Sequence, residues 1–99
     1  MGDEDLARRL VGRFLTDMPA QLAALSDAIG SADTSGGLLL AHSIRGAAAN
    51  VSGDSMSGIA SRIEAAMREG DIQMAGELLS GLGSEFEQAG AALRRFIAG

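Results

Sequence analysis

The chain has one histidine and no cysteine, so a search for a titratable nucleophile leads to His42. It lies in Ala41-His42-Ser43-Ile44-Arg45-Gly46-Ala47-Ala48-Ala49-Asn50-Val51, a segment with helical periodicity. At about 100° per residue, Gly37, Leu40, Ala41, Ile44, Ala48 and Val51 share a sector of roughly 100°, the width of a core-facing stripe. His42 falls roughly 150° from the middle of that sector, so its imidazole is predicted to point outward. Arg45, at i+3, can reach whatever the ring carries. Gly46, one turn on, presents bare backbone, and Leu38 and Leu39 add apolar side chains one turn earlier. A cation, a bare patch and apolar groups thus surround one nucleophile whose ordinary titration range lies near neutral pH and whose neutral form has a free lone pair.

Plainer explanations exist for the same residues. Most surface histidines have no chemical role. A metal site needs more ligands, and neither a second histidine, a cysteine nor a carboxylate at i±4 is present. Gly46 could be incidental, although a mid-helix glycine costs up to about 1 kcal/mol relative to alanine, and close approach of another surface is the usual reason to keep one. A Ser-His-Asp arrangement would need an acid partner behind an outward imidazole, and a small all-α chain provides no obvious oxyanion hole. Gly36-Gly37 lacks the lysine and spacing of a phosphate-binding loop. Nothing resembles an ATP site.

The elements that must carry His42 read as helices. Leu6, Leu10, Phe14, Met18, Leu22, Leu25 and Ile29 recur at three- and four-residue spacing. Pro19 interrupts this stripe, and with Asp17 as a candidate cap it predicts two helices or one kinked helix. Gly30 to Gly37 forms a linker, and Asp33, Thr34 and Ser35 offer caps for a helix over residues 34–51. Gly53 then reads as a stop, with Asp54 or Ser55 capping a third helix whose stripe is Met56, Ile59, Ala60, Ile63 and Met67. On its flank, Glu64 and Arg68 stand beside Ser57 and Ser61. They would face the imidazole if the two central helices pack antiparallel, or form an ordinary solvated i,i+4 pair.

Glu69-Gly70-Asp71 is the next break. The last stripe comprises Ala75, Leu78, Leu79, Leu82, Phe86, Ala89, Leu93, Phe96 and Ile97. Gly81, Gly83 and the capping-box pattern Ser84-Glu85-Phe86-Glu87 argue for a break, but the stripe keeps phase across them and predicts continuity. Met18, Met56, Met67 and Met74 read as gap-filling core or boundary residues.

Composition sets the outer bounds. Ninety-nine residues make one domain, 1–99. Hydrophobic residues make up 46%, with only three aromatics and one proline, which favours alanine- and leucine-rich helices over strands. With 8 basic against 13 acidic residues the net charge is −5, which disfavours nucleic acid and anionic lipid as partners. The longest apolar runs are too short for a spanning helix, and the acidic start Met1-Gly2-Asp3-Glu4-Asp5 is unlike a signal peptide. Absence of cysteine fits a reducing cytoplasm.

The residues then carry a resemblance. His42-Ser43-Ile44-Arg45-Gly46, followed by small residues, Asn50-Val51, a turn at Ser52-Gly53-Asp54 and a second amphipathic helix, resembles the histidine-containing phosphotransfer (HPt) domain family, whose motif is His, two residues, Lys or Arg, then Gly. The similarity extends to Phe14-Leu15-Thr16-Asp17-Met18-Pro19 and Glu69-Gly70-Asp71, across residues 5–97. One departure concerns the turn: the family commonly has glycine ten residues after the histidine, whereas this chain has Ser52 there and glycine at Gly53.

The resemblance implies an all-α, up-down antiparallel four-helix bundle with an additional short or kinked N-terminal helix. It implies a monomeric cytoplasmic phosphorelay intermediate with no kinase site of its own. His42 would accept a phosphoryl group on Nε2 from a receiver-domain aspartate and pass it to another receiver. Arg45 would neutralise phosphoryl oxygens, Gly46 would clear space, and Leu38, Leu39 and Ala49 would seat the receiver. Glu64 and Arg68 would stand near the ring. No cofactor is expected on this chain, and Mg²⁺ is expected on the partner receiver of a response regulator or hybrid histidine kinase. Other readings are a helical domain that binds receivers without transfer, a fragment of a larger hybrid kinase, or a histidine kinase dimerisation domain, which should continue into an ATP-binding domain.

Overall fold

A computed structural model describes residues 2–99; Met1, the first residue of the acidic N-terminal run, lies outside them. Four helices account for nearly all of the described residues: α1 Gly2–Gly30, α2 Thr34–Asn50, α3 Asp54–Arg68 and α4 Ile72–Ala98. Three-residue connections force each helix back against its predecessor, as short loops do in up-down bundles. Around the bundle α1 packs on α2, α2 on α3, α3 on α4 and α4 on α1, with α2 and α3 sharing the most extensive interface.

The three connections are built alike. At each helix end a residue with positive φ is followed by one whose N–H reaches back five residues: Asp33 N to Ala28 O at 2.8 Å, Gly53 N to Ala48 O at 2.8 Å, and Asp71 N to Ala66 O at 2.8 Å. This is the Schellman closure, which satisfies carbonyls otherwise left open at a helix C-terminus. Its left-handed position is occupied by Ala32 (φ 55°), Ser52 (φ 60°) and Gly70 (φ 76°). Only the last is a glycine, the residue for which that conformation is unstrained.

The residue after each positive-φ position starts the next helix. Asp33 and Asp71 cap α2 and α4 through their carboxylates, accepting from Gly36 N at 2.9 Å and Met74 N at 3.1 Å. The cap of α3 is Gly53, without a side-chain bond, and not Asp54 or Ser55 as the sequence suggested. A Cβ at Gly53 would lie 3.2 Å from Ala48 O, a tight contact that glycine avoids. The positive φ falls one residue earlier, on Ser52.

The N-terminal expectation needs correction. Residues 2–30 form one helix with Pro19 inside it, so the additional short helix is not a separate element; α1 is itself one of the four. Proline deletes one intrahelical bond, but Phe14, Met18, Leu25 and Ile29 on both sides of it enter the same core, and that shared burial carries the helix through. α4 is likewise unbroken across Gly81 and Gly83, because Leu82 between them is fully buried and Phe86 stays in phase.

Seven large side chains, Met18, Leu25, Ile44, Met56, Ile63, Met67 and Leu82, are fully buried, each worth about 1.5–3 kcal/mol relative to exposure. Phe14 and Phe86 pair across α1 and α4 with ring centroids 5.8 Å apart. The stripes of α1 and α4 outrun their cover: 29 and 27 residues face a hairpin of 17 and 15. Leu6, Leu10, Phe96 and Ile97 at the overhanging ends are therefore exposed, as is Met74 near the start of α4.

Candidate functional site

The core-facing side of α2 is Gly37, Ala41, Ile44 and Ala48, the stripe the spacing predicted, with Leu40 and Val51 half-buried at its edges. Three of those four residues are glycine or alanine, so α3 can approach closely. A Cβ on Gly37 would collide with the end of the Met67 side chain. Ser57 Oγ donates to the Arg45 carbonyl at 3.3 Å, which ties the helices together beside the site.

His42 emerges on the opposite side, with its side chain 61% exposed. Leu39, Gly46 and Ala49 are exposed at i−3, i+4 and i+7 from it, positions that share one helical face. Leu39 is 70% exposed, and nothing lies within 4 Å of a Cβ built on Gly46. Neither neighbour packing nor backbone conformation therefore requires glycine at position 46. Leu38 departs from the expectation. It is half-buried and packs against the core, so it offers only part of its surface.

Beneath the ring lies Glu64, whose side chain is only 10% exposed. Its Oε2 is 3.2 Å from His42 Nδ1 and accepts from Arg68 Nη2 at 3.3 Å. Its Oε1 is 3.4 Å from Arg45 Nε without hydrogen-bonding geometry and has no other partner. Arg45 Nη2 in turn stands 2.9 Å from His42 Nδ1. The solvated-pair alternative for Glu64 and Arg68 is thus half right: Arg68 is exposed at the surface, while Glu64 is buried between the helices and meets α2.

Spacing placed Glu64 on the flank of α3 and missed its burial. The signal was the run of small residues on α2, which narrows the inter-helix gap and widens the buried sector of α3. The acid behind the imidazole is this carboxylate, on the flank of α3 that faces the ring when the two central helices pack antiparallel.

Chemically, the cluster turns one ring nitrogen inward and the other outward. Nδ1 is held among Glu64 and Arg45, whereas Nε2 has no hydrogen-bond partner among the described residues. A carboxylate behind Nδ1 can retain a proton there and leave the Nε2 lone pair facing solvent. Two guanidiniums belong to the cluster, Arg45 at the ring and Arg68 on Glu64, with side chains 40% and 62% exposed, and anionic oxygens are the natural ligands of such groups. Among the described residues no three side chains are grouped as a metal ion would need.

Comparison with known families gives one match, to the model described as Hpt domain, over residues 9–94. The match takes in α2, α3, most of α1 and α4, and every residue of the cluster. Curated proteins and solved structures gave no match.

Proposed function

We propose, for a chain that belongs to the Hpt domain family, that His42 is the residue that carries the phosphoryl group. Membership makes the chain a phosphotransfer module of two-component signalling and not a kinase. The observation that carries the assignment is the orientation of the only histidine: Nδ1 is turned to the buried Glu64 carboxylate at 3.2 Å and to Arg45 at 2.9 Å, while the side chain is 61% exposed.

In the proposed step, neutral imidazole with its proton on Nδ1 attacks the phosphorus of a receiver's aspartyl phosphate through the Nε2 lone pair. The P–O bond to the aspartate breaks and its electron pair returns to the carboxylate, whose charge the receiver's Mg²⁺ balances. The proton stays on Nδ1 against Glu64, which offsets the positive charge developing on the ring. Onward transfer runs the same step in reverse, with the Nδ1–H imidazole as a neutral leaving group. Little bond-making is left to other side chains, so catalysis is positioning and charge stabilisation.

Arg45 supplies charge to the phosphoryl oxygens, and Arg68 holds Glu64 from the outer side. Leu39, Gly46 and Ala49, with the exposed part of Leu38, form the receiver's seat around the ring. The partners under this reading are receiver domains of response regulators and hybrid histidine kinases, met in the cytoplasm. No helix among the described residues is long and apolar enough to cross a membrane.

The test is incubation with a panel of phosphorylated receiver domains, following label onto the chain. Label on the wild type that is lost in His42→Gln supports the assignment. Label that persists in His42→Gln overturns it.

A further inference from the structure

His42 Nδ1 faces two groups that make incompatible demands. Glu64 Oε2, at 3.2 Å, only accepts and requires a proton on Nδ1. Arg45 Nη2, at 2.9 Å, only donates and requires a lone pair there. In a neutral imidazole Nδ1 is donor or acceptor, never both, so the two contacts cannot both be hydrogen bonds at once. The choice decides the state of the outer nitrogen. Nδ1 accepting from Arg45 leaves the proton on Nε2, which then has no lone pair for attack; Nδ1 donating to Glu64 leaves Nε2 free.

We infer that Arg45 is a tautomer gate, holding His42 in the unreactive Nε2–H form until an anion draws the guanidinium away and Nδ1 passes to Glu64. This rests on the reading of His42 as phosphoryl acceptor and adds how that site is switched on. Three observations support it. The Arg45 contact is the shorter of the two, at an ordinary hydrogen-bond length. Glu64 Oε2 is already engaged by Arg68 at 3.3 Å. The two competitors also differ in freedom, since the Glu64 side chain is 10% exposed and fixed between helices whereas that of Arg45 is 40% exposed and can swing outward.

The driving force is the difference between the guanidinium's two possible partners. On Nδ1 it meets only a neutral dipole; on a phosphoryl group it meets a negatively charged oxygen, so the direct attraction of opposite charges is added to a bond that the guanidinium makes in either case. The exchange is balanced: one proton leaves Nε2 for water as another arrives at Nδ1, and the ring's 61% exposure gives water access. Among the described residues the charged side chains that meet this cluster are Arg45 from α2 and Glu64 and Arg68 from α3.

Because the chain has a single histidine, ¹⁵N-histidine labelling reads the ring without overlap. The tautomer ratio is measured on the full chain at about pH 8.5, roughly two units above the ordinary imidazole pKa, in wild type and Arg45→Met. The ratio of Nδ1–H to Nε2–H is expected to rise about tenfold or more in Arg45→Met, the factor that a charge-assisted bond carries. Inorganic phosphate, against chloride at matched ionic strength, is expected to move wild type in the same direction and to leave Arg45→Met unmoved. Arg45→Lys, which restores a donor cation, is expected to return the ratio toward wild type. An equal ratio in wild type and Arg45→Met refutes the gate, and phosphotransfer to His42 in the same preparations would show that the acceptor assignment survives it. A gated ratio in a chain that takes no label from any receiver would retain the switch and refute the acceptor role.

Discussion

Replacing Gly46 separates what the fold wants from what a partner wants. The position is exposed, lies within α2, and a Cβ placed there meets nothing within 4 Å. Gly46→Ala therefore adds no clash and removes backbone freedom from the unfolded chain, which should stabilise by about 0.4–1 kcal/mol. For a domain of this size that corresponds to a rise of about 2–8 °C in Tm. Gly46→Leu should fold equally well, since leucine is nearly as good a helix former as alanine and the space outside is open. Its four added carbons, however, stand one turn from His42 on the face proposed as the receiver's seat.

If docking brings backbone to within contact of Gly46, Gly46→Leu should lower the rate of receiver-dependent transfer at least tenfold, about 1.4 kcal/mol. Gly83→Ala provides the control: a Cβ there also meets nothing within 4 Å, and α4 does not pack against α2, so it should stabilise without changing transfer. The assay is thermal unfolding and label transfer from a phosphorylated receiver on the same four proteins. A Gly46→Leu protein that folds and transfers as fast as wild type would refute the close-approach argument and the docking face with it.

Other substitutions probe the remaining parts. Glu64→Ala should cost little stability, within about 1 kcal/mol, because its arginine partners are substantially exposed and exposed pairs contribute little while the lost carboxylate no longer needs desolvation; transfer should nevertheless slow about tenfold or more through loss of the charge-assisted partner of Nδ1, and unchanged transfer kinetics would show that Glu64 does not orient the ring. Ser52→Gly relieves a left-handed residue that costs about 1–2 kcal/mol at an entropic cost of roughly 0.5–1 kcal/mol, so denaturant unfolding should show a net gain of about 0.5–1 kcal/mol, and a loss would contradict the turn geometry. Leu39→Asp should leave Tm within about 4 °C, since a surface change is worth about ±0.5 kcal/mol, and should weaken receiver binding measured by titration; equal affinity would remove Leu39 from the seat.

Much of this was legible because helices advertise their buried face. The stripe Gly37, Ala41, Ile44, Ala48 set the outward direction of His42 by angle alone, and Leu82 and Phe86 kept phase through Gly81 and Gly83, so α4 could be traced past two helix-weakening residues. What could not be read depended on how deeply neighbouring helices approach each other. Spacing within α3 put Glu64 on a flank, but its burial arises from the small residues of α2 on the other side of the seam. Pro19 reads locally as a break, yet a break would have to displace Met18 or Leu25 from a core that both enter, and tertiary packing overrides the local preference. The turn after α2 was misread by one residue: glycine suggests positive φ, but Gly53 has φ −84° and caps α3, and Ser52 takes the left-handed conformation.

The central claim is that the outer nitrogen of His42 forms the bond to phosphorus. Transfer from a phosphorylated receiver to the ¹⁵N-histidine-labelled chain, followed by ³¹P–¹⁵N correlation in mildly basic solution where a phosphoramidate persists, identifies the bonded atom directly. The account predicts a single acid-labile phosphohistidine coupled through Nε2, with Nδ1 carrying the proton toward Glu64. Phosphorus bonded to Nδ1, or label held as an acid-stable ester on serine, would contradict it.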